Sequence, residues 1–378
     1  MSAPDRTVLL TLGRLPPSID VARSFAALGW RVLVAEPFRL HMARTSRAVA
    51  KTFVVPAPTI DAAGFRQRII DIINAEAVDV VVPISEETMH VVGFQDALPT
   101  NCEVYTSDAA LVRALHSKRR FIETAADHGL RVPQTFSGNT NEARALMAQS
   151  AFVVKPEYSC SGRGVMRYAP GDVQALSNDM VVQQAIDGDE YSAFAIAHEG
   201  NVLAQVTYKA VIRHGSVAVV FERCEQPSVD TWLKNLVGAV NYTGFIAIDA
   251  ILDQTGVVYA IECNPRATSG IHFIETHDLA AAIIDRDASV RMRPERRLQE
   301  FWSAWTHWFS SLGNRQERRK TMDAIRSAKD VTWRRSDPWV FLLATFSTWP
   351  IISKAIRHRT DFASVLALDI EWVGDDET

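Results

Sequence analysis

No two of the four cysteines (Cys102, Cys160, Cys224, Cys263) form a C-x-x-C pair, which argues against both a disulfide framework and a zinc knuckle. Positive charge is not in excess either. The 40 basic residues face 44 acidic ones, for a net charge of −4, so no global basic field invites nucleic acid. A spanning helix wants ~20 predominantly apolar residues. The nearest candidate, "WVFLLATFSTWPIISKAI" at 339–356, is interrupted by Thr345, Ser347, Thr348 and Pro350. The opening "MSAPDRTVLLTLGRLPPS" has no secretory apolar core, so a reducing cytoplasm is expected. G-x-G-x-x-G is missing as well: the first strand-to-helix turn reads "LGRLPPS", without the dinucleotide fingerprint. Internal repeats and low-complexity linkers are absent too.

What is there is an ordinary globular composition, 47% hydrophobic and 22% charged over 378 residues, ample for two or three domains. Up to residue 106 strand and helix patterns alternate: "TVLLTL", a helix over Ser18–Leu28 stopped by Gly29, "RVLVAE", "TFVVPA", a helix over Ala62–Glu76, then "VDVVVPI". That is the pattern of a parallel α/β, Rossmann-like domain. Ser117 then reads as the cap of a helix that Gly129 ends. "AFVVKPEYSCSGRGVMRY", "MVVQQAIDGDEYSAFAIAH" and "NVLAQVTYKA" read as antiparallel, hairpin-rich α+β structure. The expected boundaries are 1–106, 107–290 (a small lobe to about 182, a large lobe from about 183) and a helical, Trp-rich extension over 291–378.

The stretch "IECNPRATSG", residues 261–270, carries the chemistry. It continues an apolar strand, yet Glu262 and Asn264 stand two apart and so share one face. The strand before it, in "GFIAIDAILDQTGVVYAIECNPR", brings Asp249 alongside through a tight turn at Gln254–Thr255. Three hard oxygen ligands with room for water and phosphate suit Mg²⁺ rather than zinc. The bland alternative, a structural polar cluster, has to accept unpaired buried carboxylates at several kcal/mol each. Upstream, Lys155 ends a strand before a loop of Ser, Gly and Arg whose backbone N–H groups can approach phosphate. By itself that loop could be any Ser/Gly turn. "VVQQAIDGDEYS" adds a loop able to pair with a base edge and acids, Asp189 and Glu190, able to accept from ribose hydroxyls. By itself it too reads as a plain turn.

Lys118, Lys155 in "VVKP", the Ser/Gly loop, "QQAIDGDEYS" and "AIDAIL…YAIECNPR" resemble, in order and spacing, the ATP-grasp superfamily. Biotin carboxylase, carbamoyl phosphate synthetase and D-alanine–D-alanine ligase are its members. The resemblance covers about residues 107–275, and the α/β region before it is similar to the usual pre-ATP-grasp domain. It implies a two-lobed ATP-grasp fold, ATP with Mg²⁺ (or Mn²⁺), and ligation of a small carboxylic acid to an amine or similar nucleophile through an acyl phosphate. Lys118 and Lys155 would contact phosphates. Ser159, Ser161, Gly162 and Gly164 would form a mobile phosphate lid. Gln183, Gln184, Ala185 and Ile186 would hold adenine, and Glu190 the ribose. Asp249, Glu262 and Asn264 would hold the metal, and Arg266 would sit beside the reacting carboxyl. Two departures are visible: Cys160 and Arg163 in the lid, and Gln183–Gln184 where Glu often stands. The ends of the chain resemble bacterial ATP-grasp proteins of unassigned substrate.

Glu86 and Glu87, at the carboxyl edge of the first sheet, could bind an amine or simply favour a helix N-terminus. Arg14, Lys209, Arg213 and Arg223 read as solvated surface or anion ligands, and His272 and His277 as ordinary polar residues. Two alternatives stay open: a nucleotide-binding scaffold without turnover, and a membrane-surface or carrier-docking protein acting through its extension. A homo-oligomer stays open as well.

Overall fold

Five short apolar runs near the N-terminus pair in parallel: β1 (Thr7–Leu10), β2 (Arg31–Glu36), β3 (Lys51–Val54), β4 (Val80–Val82) and β5 (Glu103–Val104), in the order β3-β2-β1-β4-β5. The computed structural model describes residues 6–374 except 160, 161, 163, 216, 312, 350–352, 354–356, 358–364 and 366. The helix Pro16–Ala27 starts two residues before the expected Ser18. The fixed φ of proline suits the first turn of a helix, where its missing N–H is no loss. Helix Ala62–Glu76 has the expected bounds, with the Asp61 carboxylate accepting from the Gly64 N–H.

A second, antiparallel sheet follows: β6 (Thr135–Ser137), β7 (Phe152–Pro156), β8 (Met166–Tyr168) and β9 (Met180–Gln184), ordered β6-β9-β7-β8. The helix Lys118–Asp127 precedes it. Ser117 Oγ accepts from the Arg120 N–H at 3.1 Å, and Gly129 at φ 74° ends the turn.

The third sheet has seven strands: β10 (Gly188–His198), β11 (Asn201–His214), β12 (Val217–Cys224), β13 (Gly244–Asp253), β14 (Val258–Asn264), β15 (Arg297–Gln299) and β16 (Lys329–Asp330), ordered β14-β13-β10-β11-β12-β15-β16. Two of these come from beyond residue 290, where helix alone was expected. They are three and two residues long, too short to show an alternation.

One core joins the first sheet to the third. Val8, Leu10, Phe25 and Val32 pack in the same cluster as Phe194, Phe221 and Phe273. Each such side chain contributes ~1.5–3 kcal/mol by leaving water. The helices Pro16–Ala27 and Thr276–Ile284 pack against each other, with Ser24 Oγ accepting from the Ala280 N–H at 2.7 Å. Among the described residues no helix is long and apolar enough to cross a membrane, and Cys102, Cys224 and Cys263 are free thiols.

Candidate active site

The hairpin β13–β14 turns on Asp253, whose Oδ1 accepts from the N–H groups of Thr255 and Val257 and from Thr255 Oγ1, while Gly256 takes the positive φ of 84° that the turn requires. This register sets Asp249 directly opposite Glu262 and Ala247 opposite Asn264. Directly opposed side chains share a face, so the two carboxylates meet. Ser192 Oγ donates to Asp249 Oδ1 at 2.6 Å. Even so, burial and then the charge of Glu262 push the Asp249 carboxyl up to about 6. A second negative charge is therefore resisted here until a cation offsets it.

Two lysines face this pair. Lys118, buried at the start of its helix, donates from Nζ to the Ser159 carbonyl at 2.8 Å and lies 3.6 Å from Glu262 Oε1. Lys155, buried on β7, donates to Gln183 Oε1 and to the Ile261 carbonyl, each at 3.0 Å. Gln183 Nε2 in turn donates to Thr135 Oγ1 and to the same carbonyl. The second and third sheets are thus stitched at one point. Burial lowers the Lys155 ammonium to about 8, against the attraction of Glu262.

A cavity of about 1090 Å³ opens there. Lys155, Gly162, the segment 183–186, Glu190, Asp249, Glu262, Asn264 and Arg266 all border it. Lys118, Ser159 and Gly164 stand outside its lining. Gly162 and Gly164 take φ values of 62° and 71°; Ser161, with Cys160 and Arg163, lies outside the described residues. The Ala185 N–H donates to the Ala151 carbonyl at 2.9 Å. Glu190, half in solvent, is paired with Arg213 at 2.6 Å.

Arg266 is already engaged. Its Nε donates to Glu86 Oε1 at 2.6 Å and its Nη2 to Asn264 Oδ1 at 3.0 Å. Burial opposes the charge on Glu86, but Arg266 and His116 outweigh it and hold its carboxyl low. Glu87 is no ligand. It is buried, accepting from the N–H groups of Ile84 and Ser85 and from Thr11 Oγ1.

One expectation needs correction. Arg14 is not solvated: it is buried, with Nη1 2.6 Å from Asp369 Oδ1 and Nε 2.9 Å from Glu36 Oε1. His272, read as an ordinary polar residue, is buried with Nδ1 2.6 Å from Asp20 Oδ2. His277 is exposed. Lys209 pairs with Asp189, and Arg223 donates to the Arg293 carbonyl. Ser192 was overlooked, although its place two residues after Glu190 puts both on one face of β10.

Residues 115–270 match the family model of the ATP-grasp domain. No curated protein matches the sequence. Among solved structures, the ADP complex of an N5-carboxyaminoimidazole ribonucleotide synthetase is similar with a TM-score of 0.64 and 13% identity, covering 83% of this chain and 88% of that one. The L-amino acid ligase of Bacillus licheniformis is similar at 0.59 and 16%, over 78% and 79%. The biotin carboxylase domain of the 2-oxoglutarate carboxylase of Hydrogenobacter thermophilus, solved with MgADP and bicarbonate, is similar at 0.61 and 14%, over 76% and 72%. Likeness at such identity speaks to the fold.

Proposed function

We propose that the protein is an ATP-dependent ligase joining a small carboxylic acid to an amine or similar nucleophile through an acyl phosphate, with release of ADP and phosphate. The observation that carries this reading is the convergence of two buried lysines and two opposed carboxylates at the seam between two sheets. The ATP-grasp match and the chemistry named for the similar structures support it.

Magnesium, or manganese in its place, fits the donor set. Asp249, Glu262 and Asn264 are hard oxygen ligands, and the raised Asp249 carboxyl supports a compensating cation beside the pair. Among the described residues no group of three or more His, Cys, Asp or Glu side chains could hold a metal, so phosphate oxygens and water would complete the shell. The bound cation would neutralise charge on the phosphoryl group in transfer. Lys118 and Lys155 would grip phosphate oxygens, Ser159, Ser161, Gly162 and Gly164 would fold over them, Gln183 to Ile186 would border adenine, and Glu190 would accept from ribose.

The acid's carboxylate oxygen would attack the terminal phosphorus, forming an O–P bond as the bond to ADP breaks. The nucleophile's nitrogen would then attack the acyl carbon and expel phosphate. Little covalent help from protein is needed; positioning and electrostatics dominate. Arg266, held in plane by Glu86 and Asn264, would present its fork to the acid. The free thiols suit a cytoplasmic setting.

The test is ADP release across panels of acids and amines. We expect release that depends on the acid, and a fall of ~10²-fold or more in folded Glu262→Gln, as when transition-state electrostatics are removed. ATP binding without release under any acid would favour the scaffold reading. One observation favours a surface role beside catalysis: Trp302, Trp333, Trp339, Phe346 and Trp349 are all exposed. Sedimentation with anionic liposomes checks it.

A further inference from the structure

The cavity runs on past Arg266 to a wall that the proposed chemistry leaves unused. His272, Glu300, Phe301, Trp302, Ser303 and Ala344 line it. His272 sits in the turn Ser269–Phe273, fully buried. Its Nδ1 faces Asp20 Oδ2 at 2.6 Å, while Asp20 Oδ1 accepts from Arg293 Nη2 at 2.8 Å. Burial works against the charge on Asp20, but Arg293 and His272 hold its carboxyl well below the usual range. An ionised carboxylate only accepts, so Nδ1 carries the proton in the neutral ring and Nε2 presents a lone pair. That Nε2 is buried and has no hydrogen-bond partner among the described residues. A buried acceptor left unpaired is unfavourable, so the position calls for a donor.

Glu300 supplies the second acceptor. It stands at the N-cap of the helix Phe301–Ser310 but its side chain makes no cap hydrogen bond, and the Phe301 N–H donates to Asp330 Oδ2 at 2.9 Å. Ser303 Oγ donates to Glu300 Oε2 at 3.2 Å. Burial pushes the Glu300 carboxyl up, and Glu300 and His272 line the same cavity. The neighbouring charged groups have other partners, although Arg23 Nη1 is buried without one among the described residues. Asp330 Oδ1 accepts from the N–H groups of Thr332 and Trp333, Arg23 is paired with Asp337, and Arg334 donates to Thr276. Two acceptors therefore border one cavity that Phe301 and Trp302 also line, and a cation with N–H donors fits both.

We propose that this end of the cavity is a subsite for a cationic amine on an apolar or aromatic stem, its ammonium donating to Glu300 and to His272 Nε2 while Phe301 and Trp302 flank the stem. The proposal rests on the ligase reading, since it names the class of the amine substrate taken by the same cavity.

The test uses calorimetry on the full chain at neutral pH with phenethylamine and its uncharged analogue 2-phenylethanol. Wild type is expected to bind the amine at least about tenfold more tightly than the alcohol, the size of effect a charge-assisted hydrogen bond gives. Glu300→Gln should lose that preference, and a matching melting temperature shows that it is folded. Equal binding of the two probes to wild type, or an undiminished preference in Glu300→Gln, overturns the subsite. MgADP is titrated separately. Binding of MgADP without amine preference rejects the subsite alone, whereas amine preference without MgADP binding rejects the ligase reading and keeps a cationic-amine site.

Discussion

A lysine shut away from water keeps its charge only if something nearby wants it, and Lys155 is poorly provided for in this respect. Its Nζ meets an amide oxygen and a carbonyl, neutral acceptors that recover part of the lost hydration. Its folded value of about 8 lies below the ordinary 10.5. The neutral form is thus favoured by folding, and Lys155's contribution to stability is full above about 10.5 and lost as pH falls through about 8. An arriving phosphate reverses this preference. Mg-ATP affinity should therefore weaken as pH rises from 7 through 9, as the ammonium is lost, and Lys155→Arg should flatten that slope because guanidinium stays charged. Calorimetric titrations at several pH values check it, and a slope unchanged in Lys155→Arg counts against the phosphate role. Arg266 makes a different claim. With Glu86 and Asn264 orienting its fork, Arg266→Lys should leave Mg-ATP affinity nearly unchanged and lower turnover of the acid by about tenfold or more, since a point charge cannot replace two parallel bonds. Calorimetry beside ADP release decides it: unchanged turnover rejects the role, and lost ATP binding moves Arg266 to the phosphate clamp.

At the scale of elements, what could be read from sequence was what repeats with a short period or sits in a local signal. Glu262 and Asn264 share a face because they are two apart, and Asp249 joins them because the hairpin turn after Asp253 is tight. Ser117 capped its helix and Gly129 ended it, each marked by residue type alone. Contacts without a period were not legible. The pairs Arg14–Asp369 and His272–Asp20 join residues 355 and 252 apart, and no spacing rule reaches that far. The place of Glu87 at the sheet's carboxyl edge left an amine ligand and a helix N-terminal acid equally open, and what no spacing showed is that its carboxylate closes the turn at Ile84 and Ser85. Strands β15 and β16 escaped for want of length. Their placement has a consequence, because Glu300 follows β15 directly and Asp330 ends β16. The sheet edge thus places Glu300 at the far wall of the cavity, beside Phe301, Trp302 and Ser303 from the first turn of the helix that follows.

The whole chain is closed on itself by charge. Asp337 accepts from Arg23 Nε at 3.0 Å, from Ser46 Oγ at 2.6 Å and from the Arg47 N–H at 3.0 Å, while Asp369 grips Arg14. Both arginines are buried, so the C-terminal segment is the counter-charge of the first domain. Removing one partner of a buried pair leaves an uncompensated charge, at ~3–5 kcal/mol. Arg14 keeps Glu36 when Asp369 is lost, whereas Arg23 leans on Asp337 through both its carboxylate and its carbonyl. Asp337→Ala should thus destabilise toward the upper end of that range and Asp369→Ala toward the lower, read as shifts of the denaturant midpoint with an unchanged slope. The surface control is Glu123→Gln, in the exposed pair with Arg119 at 2.7 Å, where a change within ~0.5 kcal/mol is expected. If Asp337→Ala behaves like Glu123→Gln, the clamp is not what holds the tail. If it behaves as argued, deletion of residues 291–378 removes β15, β16 and both counter-charges together, and the shortened chain should unfold without a cooperative transition.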